Sequence, residues 1–191
     1  MLASASPRRS RLLADLGLDF VTCPVDIDET HRPGEEAGEY VLRLAREKAH
    51  AGAADDAVVI GADTIVTHGG RVLGKPTDES DATRMLASLA GRQHEVLTGV
   101  CVFDSSDSRS ASGVERTEVT LGSMSPKELS WYTSTGEPLD KAGSYAIQGL
   151  GALFVDSVNG NYTNVVGLPL PLLFRLTAEL GYDLKAFLLR T

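Results

Sequence analysis

An α/β fold is what this sequence predicts, on three observations. Strand-like and helix-like stretches alternate almost to the C-terminal end. With glycine counted, roughly half of the 191 residues are apolar, enough for a full-sized core and too many for a disordered chain. No linker long enough to divide the chain interrupts the alternation, so 1–191 reads as a single domain.

Taken in order, Ser6 before Pro7 marks a helix start, a capping hydroxyl followed by a residue whose missing N–H costs nothing there. Leu12, Leu13 and Leu16 give that helix an apolar face, and Gly17 stops it. A strand is expected over Phe20–Cys23. The polar stretch Asp26–Gly38 reads as a loop into a second helix, with Tyr40, Val41, Leu44, Ala45 and Lys48 on neighbouring turns. Ala57–Gly61, continuously apolar, suits a central strand covered on both faces. Thr64–Val66 and Arg71–Leu73 around Gly69-Gly70 suggest a hairpin. A helix carrying Ala82, Met85, Leu86 and Leu89 inward runs to Gly91. Val96–Asp104 and Val114–Gly122 form strands joined by the solvated segment Ser105–Gly113. Ser125-Pro126-Lys127-Glu128 is a capping box opening a helix that ends near Gly136. The glycine-rich stretch Ala142–Pro169 holds a strand near Leu153–Val158, and a helix over Leu172–Leu180 closes the fold, followed by a short amphipathic tail.

Eighteen Lys and Arg against 26 Asp and Glu leave a net charge of −8. That balance argues against a nucleic-acid polymer as partner but is compatible with a local basic pocket for a small anion. The apolar run Gly167–Leu173 is broken by Pro169 and Pro171 and falls far short of the ~18–20 residues of a membrane span. The start Met1-Leu2-Ala3-Ser4 lacks the basic flank and long apolar core of a signal peptide, so a cytoplasmic location with no membrane partner is expected. Cys23 and Cys101 read as free thiols rather than a disulfide framework.

Several constellations fail on spacing. His31, His50, His68 and His94 are scattered without metal-ligand spacing and read as surface or capping residues. There is no nucleophile elbow, and Gly74-Lys75-Pro76 is no Walker loop. Gly149-Leu150-Gly151 lacks the third glycine of a dinucleotide fingerprint and is better read as a turn where backbone passes closely.

Three constellations survive. Ser4-Ala5-Ser6-Pro7-Arg8-Arg9 puts hydroxyls and two guanidinium forks at a helix N-terminus, a natural phosphate site. A capped helix with solvated arginines accounts for the hexapeptide equally well. Gly61-Ala62-Asp63-Thr64 is placed at the C-terminal end of the expected central strand, where a carboxylate can deprotonate water or hold a divalent cation; capping a turn is the alternative. Lastly, Glu29, Lys48, Lys75 and Lys141 are isolated charges near glycines or helix ends. Lys48 falls on the apolar side of its helix, which calls for a buried partner or anion unless the side chain snorkels. Together these charges suggest a polyphosphate pocket with an acidic, metal-binding wall.

The segments LASASPRR at the start, EYVLRLAREKA at 39–49, VIGADT at 59–64, GKP at 74–76 and DKAGSYAIQGLGALFVDSVNGNYTNVVGLPL at 140–170 follow one another in an order that resembles the Maf family of nucleoside triphosphate pyrophosphatases. The resemblance covers nearly the whole chain. It implies an α/β fold with a central mixed β-sheet flanked by helices, two lobes around a deep substrate cleft, and a homodimer. It also implies hydrolysis of nucleoside triphosphates to monophosphate and pyrophosphate with a divalent metal, Mg²⁺ or Mn²⁺, as cofactor. On this chain Asp63 is likened to the catalytic base, and Ser4, Arg8, Arg9, Glu29, Lys48, Thr64, Lys75 and Gln148 to substrate-binding positions. Arg8, Thr64 and Gln148 match positions of base selectivity in the branch acting on dTTP and UTP, and Asp63 with Glu29 would hold the metal. A nucleotide-binding regulator of cell division is the alternative from another class; keeping Asp63, Glu29 and both arginines favours the enzyme.

Overall fold

The computed structural model describes residues 1–188. Its strands are β1 (Val58–His68), β2 (Arg71–Leu73), β3 (Gln93–Asp104), β4 (Arg109–Leu121) and β5 (Val155–Asn159), forming one sheet in the order β2-β1-β3-β4-β5. The five-stranded sheet is antiparallel, as the β1–β2 and β4–β5 pairs show, rather than the mixed sheet expected; parallel pairing is confined to isolated bridges of Leu2 to Thr22 and Ile60. The helices are α1 (Pro7–Asp15), α2 (Ala37–Ala51), α3 (Glu79–Leu89), α4 (Pro126–Ser134), α5 (Tyr162–Val166) and α6 (Leu170–Glu179). Among the described residues no helix is long and apolar enough to cross a membrane.

The chain divides into two compact units whose boundaries fall within β1, β3 and β4 and at the end of α5. The first comprises Met1–Asp63, Thr98–Glu115 and the chain from Gly167 onward. Here α1 begins as its sequence dictates: the Ser6 hydroxyl accepts from the Arg9 amide, and Gly17 beyond the helix takes a φ of +74°. Leu13 is fully buried with Leu2, Ile60, Ala62, Val100, Val102 and Leu173, so one face of the strand pair is covered by α1 and α6. Leu16, expected on the buried face, is the exposed C-cap instead, because the helix ends before it can turn inward. On the opposite face α2 packs Ala45 and Ala49 against Cys101 and Phe103. Burial on both faces explains the continuous apolar runs of this half. Cys101 is a buried free thiol pushed up to about 11 by that burial; Cys23 is also free.

Glycine makes the α2 packing possible at two positions. A Cβ on Gly61 would lie 2.2 Å from the Ala45 carbonyl oxygen, and one on Gly99 would lie 2.2 Å from that of Val41. The obstacle in each case is helix backbone, which cannot step aside, so α2 approaches β1 and β3 only where they lack side chains.

The second unit comprises Thr64–Leu97 and Arg116–Val166, with a core of Val66, Leu86, Leu89, Val96, Val119, Leu121, Tyr132 and Tyr145. The hairpin around Gly69-Gly70 forms as expected, pairing Val66 with Leu73 and His68 with Arg71. The capping box at Ser125 and Glu128 also forms, with both reciprocal bonds present.

Several boundaries differ from the sequence reading. Phe20–Cys23 makes only the single bridge at Thr22. Val58–Gly61 and Thr64–Val66 belong to one continuous strand that Ala57 precedes, in which Asp63 is central rather than terminal, and β3, not β1, is the middle strand of the sheet. The turn between β3 and β4 shrinks to residues 105–108, since the strand ladder continues through polar residues one face of which meets solvent. The strand expected at Leu153–Val158 starts two residues later, after a short 3-10 segment over Gly149–Phe154. The five-residue α5 was not foreseen; Asn161 caps it and Asn164 holds it to the sheet through the Val96 carbonyl and the Thr117 hydroxyl.

His94 is a further correction. It is 2% exposed rather than at the surface, because it shares a strand face with buried Val96, and its Nε2 lies 2.7 Å from the Tyr145 hydroxyl. Burial pushes its imidazole down to about 4, with a small push from His68 and an opposing one from the backbone of Arg92. An unfolded chain therefore binds this proton between pH 6.5 and about 4 while the folded one does not. The stability so gained is fully present above pH 6.5 and is lost as pH falls through that window, to a total of about 3 kcal/mol. Urea unfolding at pH 6.5 and 4.5 checks this: His94→Gln is expected to flatten the fall in stability, and equal falls in both proteins refute it.

Candidate functional site

In the first unit the elements converge on one buried ammonium. Lys48 sits in the last turn of α2, among Leu44, Ala45 and Ala49, and is 8% exposed. Its Nζ donates to Asp63 Oδ1 at 2.6 Å and lies 2.6 Å from Glu29 Oε1. Gly61 and Asp63, two apart on β1, point to the same face, so the glycine that admits α2 also brings Lys48 onto the carboxylate. The partner that the helical pattern demanded for Lys48 is thus a pair of carboxylates. Asp63 is largely enclosed, its side chain 13% exposed, whereas that of Glu29 is 55% exposed and reaches water.

Residues that sequence reasoning had not assigned to the site hold Glu29 in place. Tyr40 donates its hydroxyl to the Glu29 carbonyl at 2.7 Å, and Arg43 donates to the Thr30 carbonyl at 3.0 Å. Three apart on α2, the two share a face, and the Arg43 guanidinium stacks over the Tyr40 ring. Arg43 also grips Glu35 with two bonds of 2.6 and 2.9 Å, pulling that carboxyl down to about 2. The 28–35 loop is therefore clamped to α2 at three points around Glu29. A Tyr and an Arg three apart on a helix beside a polar loop was the one available signal.

At the start of α1, Arg9 is a buried anchor. Only 8% exposed, it donates from Nε to the Gly167 carbonyl at 2.7 Å and from a terminal nitrogen to the Ser4 hydroxyl at 3.1 Å. Burial lowers its guanidinium below the ordinary value, with Asp63 and Glu29 opposing that and Arg8 reinforcing it. Ser4 also accepts from the Ser6 amide at 3.2 Å, so hydroxyl, fork and helix terminus are fixed together. Arg8, one residue earlier, is half-buried.

Thr64, Lys75 and Gln148 lie in the second unit, the first half-buried and the other two exposed. The Gly143 amide donates to the Gly74 carbonyl at 3.1 Å, which brings the turn over Ala142–Ser144 against the Gly74-Lys75 stretch. Gly143 has a φ of +70°, and a Cβ there would meet Val66 at 2.8 Å, so this approach requires glycine. Lys141, grouped on sequence with the phosphate-facing charges, is instead committed locally: its Nζ donates to the Glu137 carbonyl and to Asp140, each at 2.6 Å.

Gln148 immediately precedes the 3-10 segment Gly149–Phe154, without a capping bond from its side chain, and that segment is bonded to Glu137. The Glu137 carboxylate accepts from the Leu150 amide at 3.0 Å, the Gly151 amide at 2.9 Å and the Tyr132 hydroxyl at 2.8 Å. Tyr132 in turn accepts from the Ala146 amide at 3.0 Å, so both sides of Gln148 are tied to one network.

Among the described residues no group of three His, Cys, Asp or Glu side chains is arranged to hold a metal. Glu29 and Asp63 nonetheless turn one oxygen each toward a single positive atom. Two hard carboxylate donors of this kind suit Mg²⁺ or Mn²⁺ when a phosphate and water complete the coordination.

With that geometry in hand, comparison with known proteins is informative. Residues 1–180 match the family model described as Maf-like protein. A dTTP/UTP pyrophosphatase of Anaeromyxobacter dehalogenans (strain 2CP-1) is 52% identical over 189 residues, covering 96% of this chain and 95% of that protein. One from Syntrophomonas wolfei is 46% identical over 185 residues, covering 96% and 98%. Another, from Escherichia coli O157:H7, is 49% identical over 172 residues, covering 88% and 86%.

Proposed function

The chain belongs to the Maf family, and from that premise we propose that it hydrolyses dTTP and UTP to the nucleoside monophosphate and pyrophosphate. The observation that carries this reading is the buried Lys48 ammonium joining Glu29 and Asp63. A site built only to bind a polyphosphate has no use for two carboxylates beside it. A hydrolase does, because water attacking an anhydride must give up a proton.

Lys48 holds Asp63 Oδ1, and Asp63 takes the proton from the water that attacks the α-phosphorus. The bond from that phosphorus to the bridging oxygen breaks, and pyrophosphate leaves with the electron pair. Ser4, Arg8 and Arg9 at the N-terminus of α1 bind phosphate oxygens, where amide N–H groups and guanidinium forks meet a negative charge best. Asp63 and Glu29 would hold a divalent cation, which would supply neutralisation of phosphate charge. On the motif resemblance, we assign Lys75 a phosphate contact and assign Arg8, Thr64 and Gln148 the choice of base. The Gln148 amide matches the carbonyl and N–H edge of a pyrimidine, and leaving it unpaired penalises other bases.

The test is a screen of nucleoside triphosphates with the purified protein and Mg²⁺ or Mn²⁺, with both products quantified. dTTP and UTP are expected to lead, with monophosphate and pyrophosphate in equal amounts. Release of orthophosphate with a diphosphate refutes the bond assignment, and equal turnover of purine triphosphates refutes the base assignment. Tight nucleotide binding with no product would favour the regulator instead.

A further inference from the structure

We infer that Glu137, which touches no reacting atom, is a positioning residue for base selection, acting by fixing the backbone on either side of Gln148. The inference rests on the base-reading role given to Gln148 above.

Burial fixes the far end of the segment, where Gly151 is buried and Phe154 packs on Trp131 and Tyr132. Gln148, Gly149 and Leu150 are exposed, so next to Gln148 the backbone has hydrogen bonds rather than burial to hold it. Those bonds converge on one carboxylate. Glu137 takes the amides of Leu150 and Gly151 on the far side of Gln148 and, through the Tyr132 hydroxyl, the amide of Ala146 on the near side. Glu137 is held in its own place by the Lys141 ammonium on its carbonyl and by the Thr135 hydroxyl, which accepts from its amide.

The two glycines are shaped to this carboxylate. A Cβ on Gly149, whose φ is +71°, would lie 2.5 Å from Glu137 Oε2. One on Gly151 would lie 2.4 Å from the Tyr132 hydroxyl and 2.3 Å from the Ala146 carbonyl oxygen. Gly149-Leu150-Gly151 is thus a cradle for a protein carboxylate, not for a ligand phosphate. Burial alone would raise the Glu137 carboxyl, but the two amides, the Tyr132 hydroxyl and Lys141 outweigh it and leave the group below its ordinary value, charged and accepting. An amide side chain that discriminates between bases must be placed to within a few tenths of an ångström, and an exposed segment achieves that only when its backbone is pinned.

The experiment compares kcat/KM for dTTP and GTP in the native protein, Glu137→Gln, Gln148→Ala and the double variant, with amide hydrogen exchange at Leu150 and Gly151. Glutamine keeps the length of the side chain but can no longer accept from both amides. Glu137→Gln is expected to narrow the dTTP-to-GTP ratio about tenfold, consistent with one lost hydrogen bond to a charged acceptor, and to speed both exchanges. In the Gln148→Ala background the same change is expected to leave the ratio alone. A ratio unmoved by Glu137→Gln while Gln148→Ala narrows it overturns the inference and spares the base-reading role. Equal narrowing in both backgrounds overturns it too, because Glu137 then acts apart from Gln148. A Gln148→Ala ratio equal to the native one overturns the base-reading role and the inference with it. Should Glu137→Gln not fold, Tyr132→Phe removes one partner of the carboxylate and of Ala146, and a smaller narrowing confined to the Gln148 background is required.

Discussion

Asp63→Asn is expected to lower turnover of dTTP by ~10²–10⁴-fold, the usual range for loss of a general base. The substitution also removes one of the two carboxylates assigned to the cation, and is otherwise conservative. Asparagine has the same shape, and its carbonyl can still accept the Lys48 proton that Asp63 Oδ1 accepts at 2.6 Å. Lys48 also retains Glu29 as a counter-ion, so the buried ammonium is not stranded. Binding of nucleotide measured without divalent metal should survive or tighten, because a negative charge beside the phosphates has gone. Single-turnover rates, nucleotide affinity and the thermal midpoint together check this. A folded variant that turns over at near-native rate would leave Asp63 as a brace for Lys48 and nothing more.

How much of this was legible beforehand depends on whether the cause was local. The α1 start at Ser6-Pro7 and the capping box at Ser125 and Glu128 were readable because cap, amide and hydroxyl all lie within four residues. Lys48 was half readable. Helical periodicity put an ammonium on an apolar face and so required a partner, but Asp63 is fifteen residues away and Glu29 nineteen, pairings that only the tertiary fold makes. The two-part reading of β1 failed because Asp63 interrupts the apolar run. The strand continues through it, since the carboxylate is neutralised by a helix on the covered face. Gly61 and Gly99 gave no signal of their role, because what they make room for is the backbone of α2 rather than any side chain. Glu137 was invisible for a related reason. Its partners Leu150 and Gly151 offer amides, which every residue but proline carries, so nothing in their identity marks the contact.

Lys48→Met is expected to lower kcat/KM for dTTP by ~10²-fold or more, and to do so by way of Asp63 as well as the phosphates. Methionine keeps an apolar stem among Leu44, Ala45 and Ala49, so the core beneath is preserved and only the charge is lost. Two carboxylates then face each other without the cation that both contact. Removing one partner from a fully buried pair destabilises by about 3–5 kcal/mol; because Glu29 reaches solvent, a loss nearer 1–3 kcal/mol is expected, visible as a lowered thermal midpoint. The decisive comparison is kcat/KM for the native protein, Lys48→Met, Asp63→Asn and the double variant. If Lys48 works by holding the base, removing it from a protein that no longer has a base changes little, and the double variant falls scarcely below the worse single one. If the two losses multiply in full, Lys48 serves the phosphates alone, and the 2.6 Å contact with Asp63 does not bear on the proton transfer.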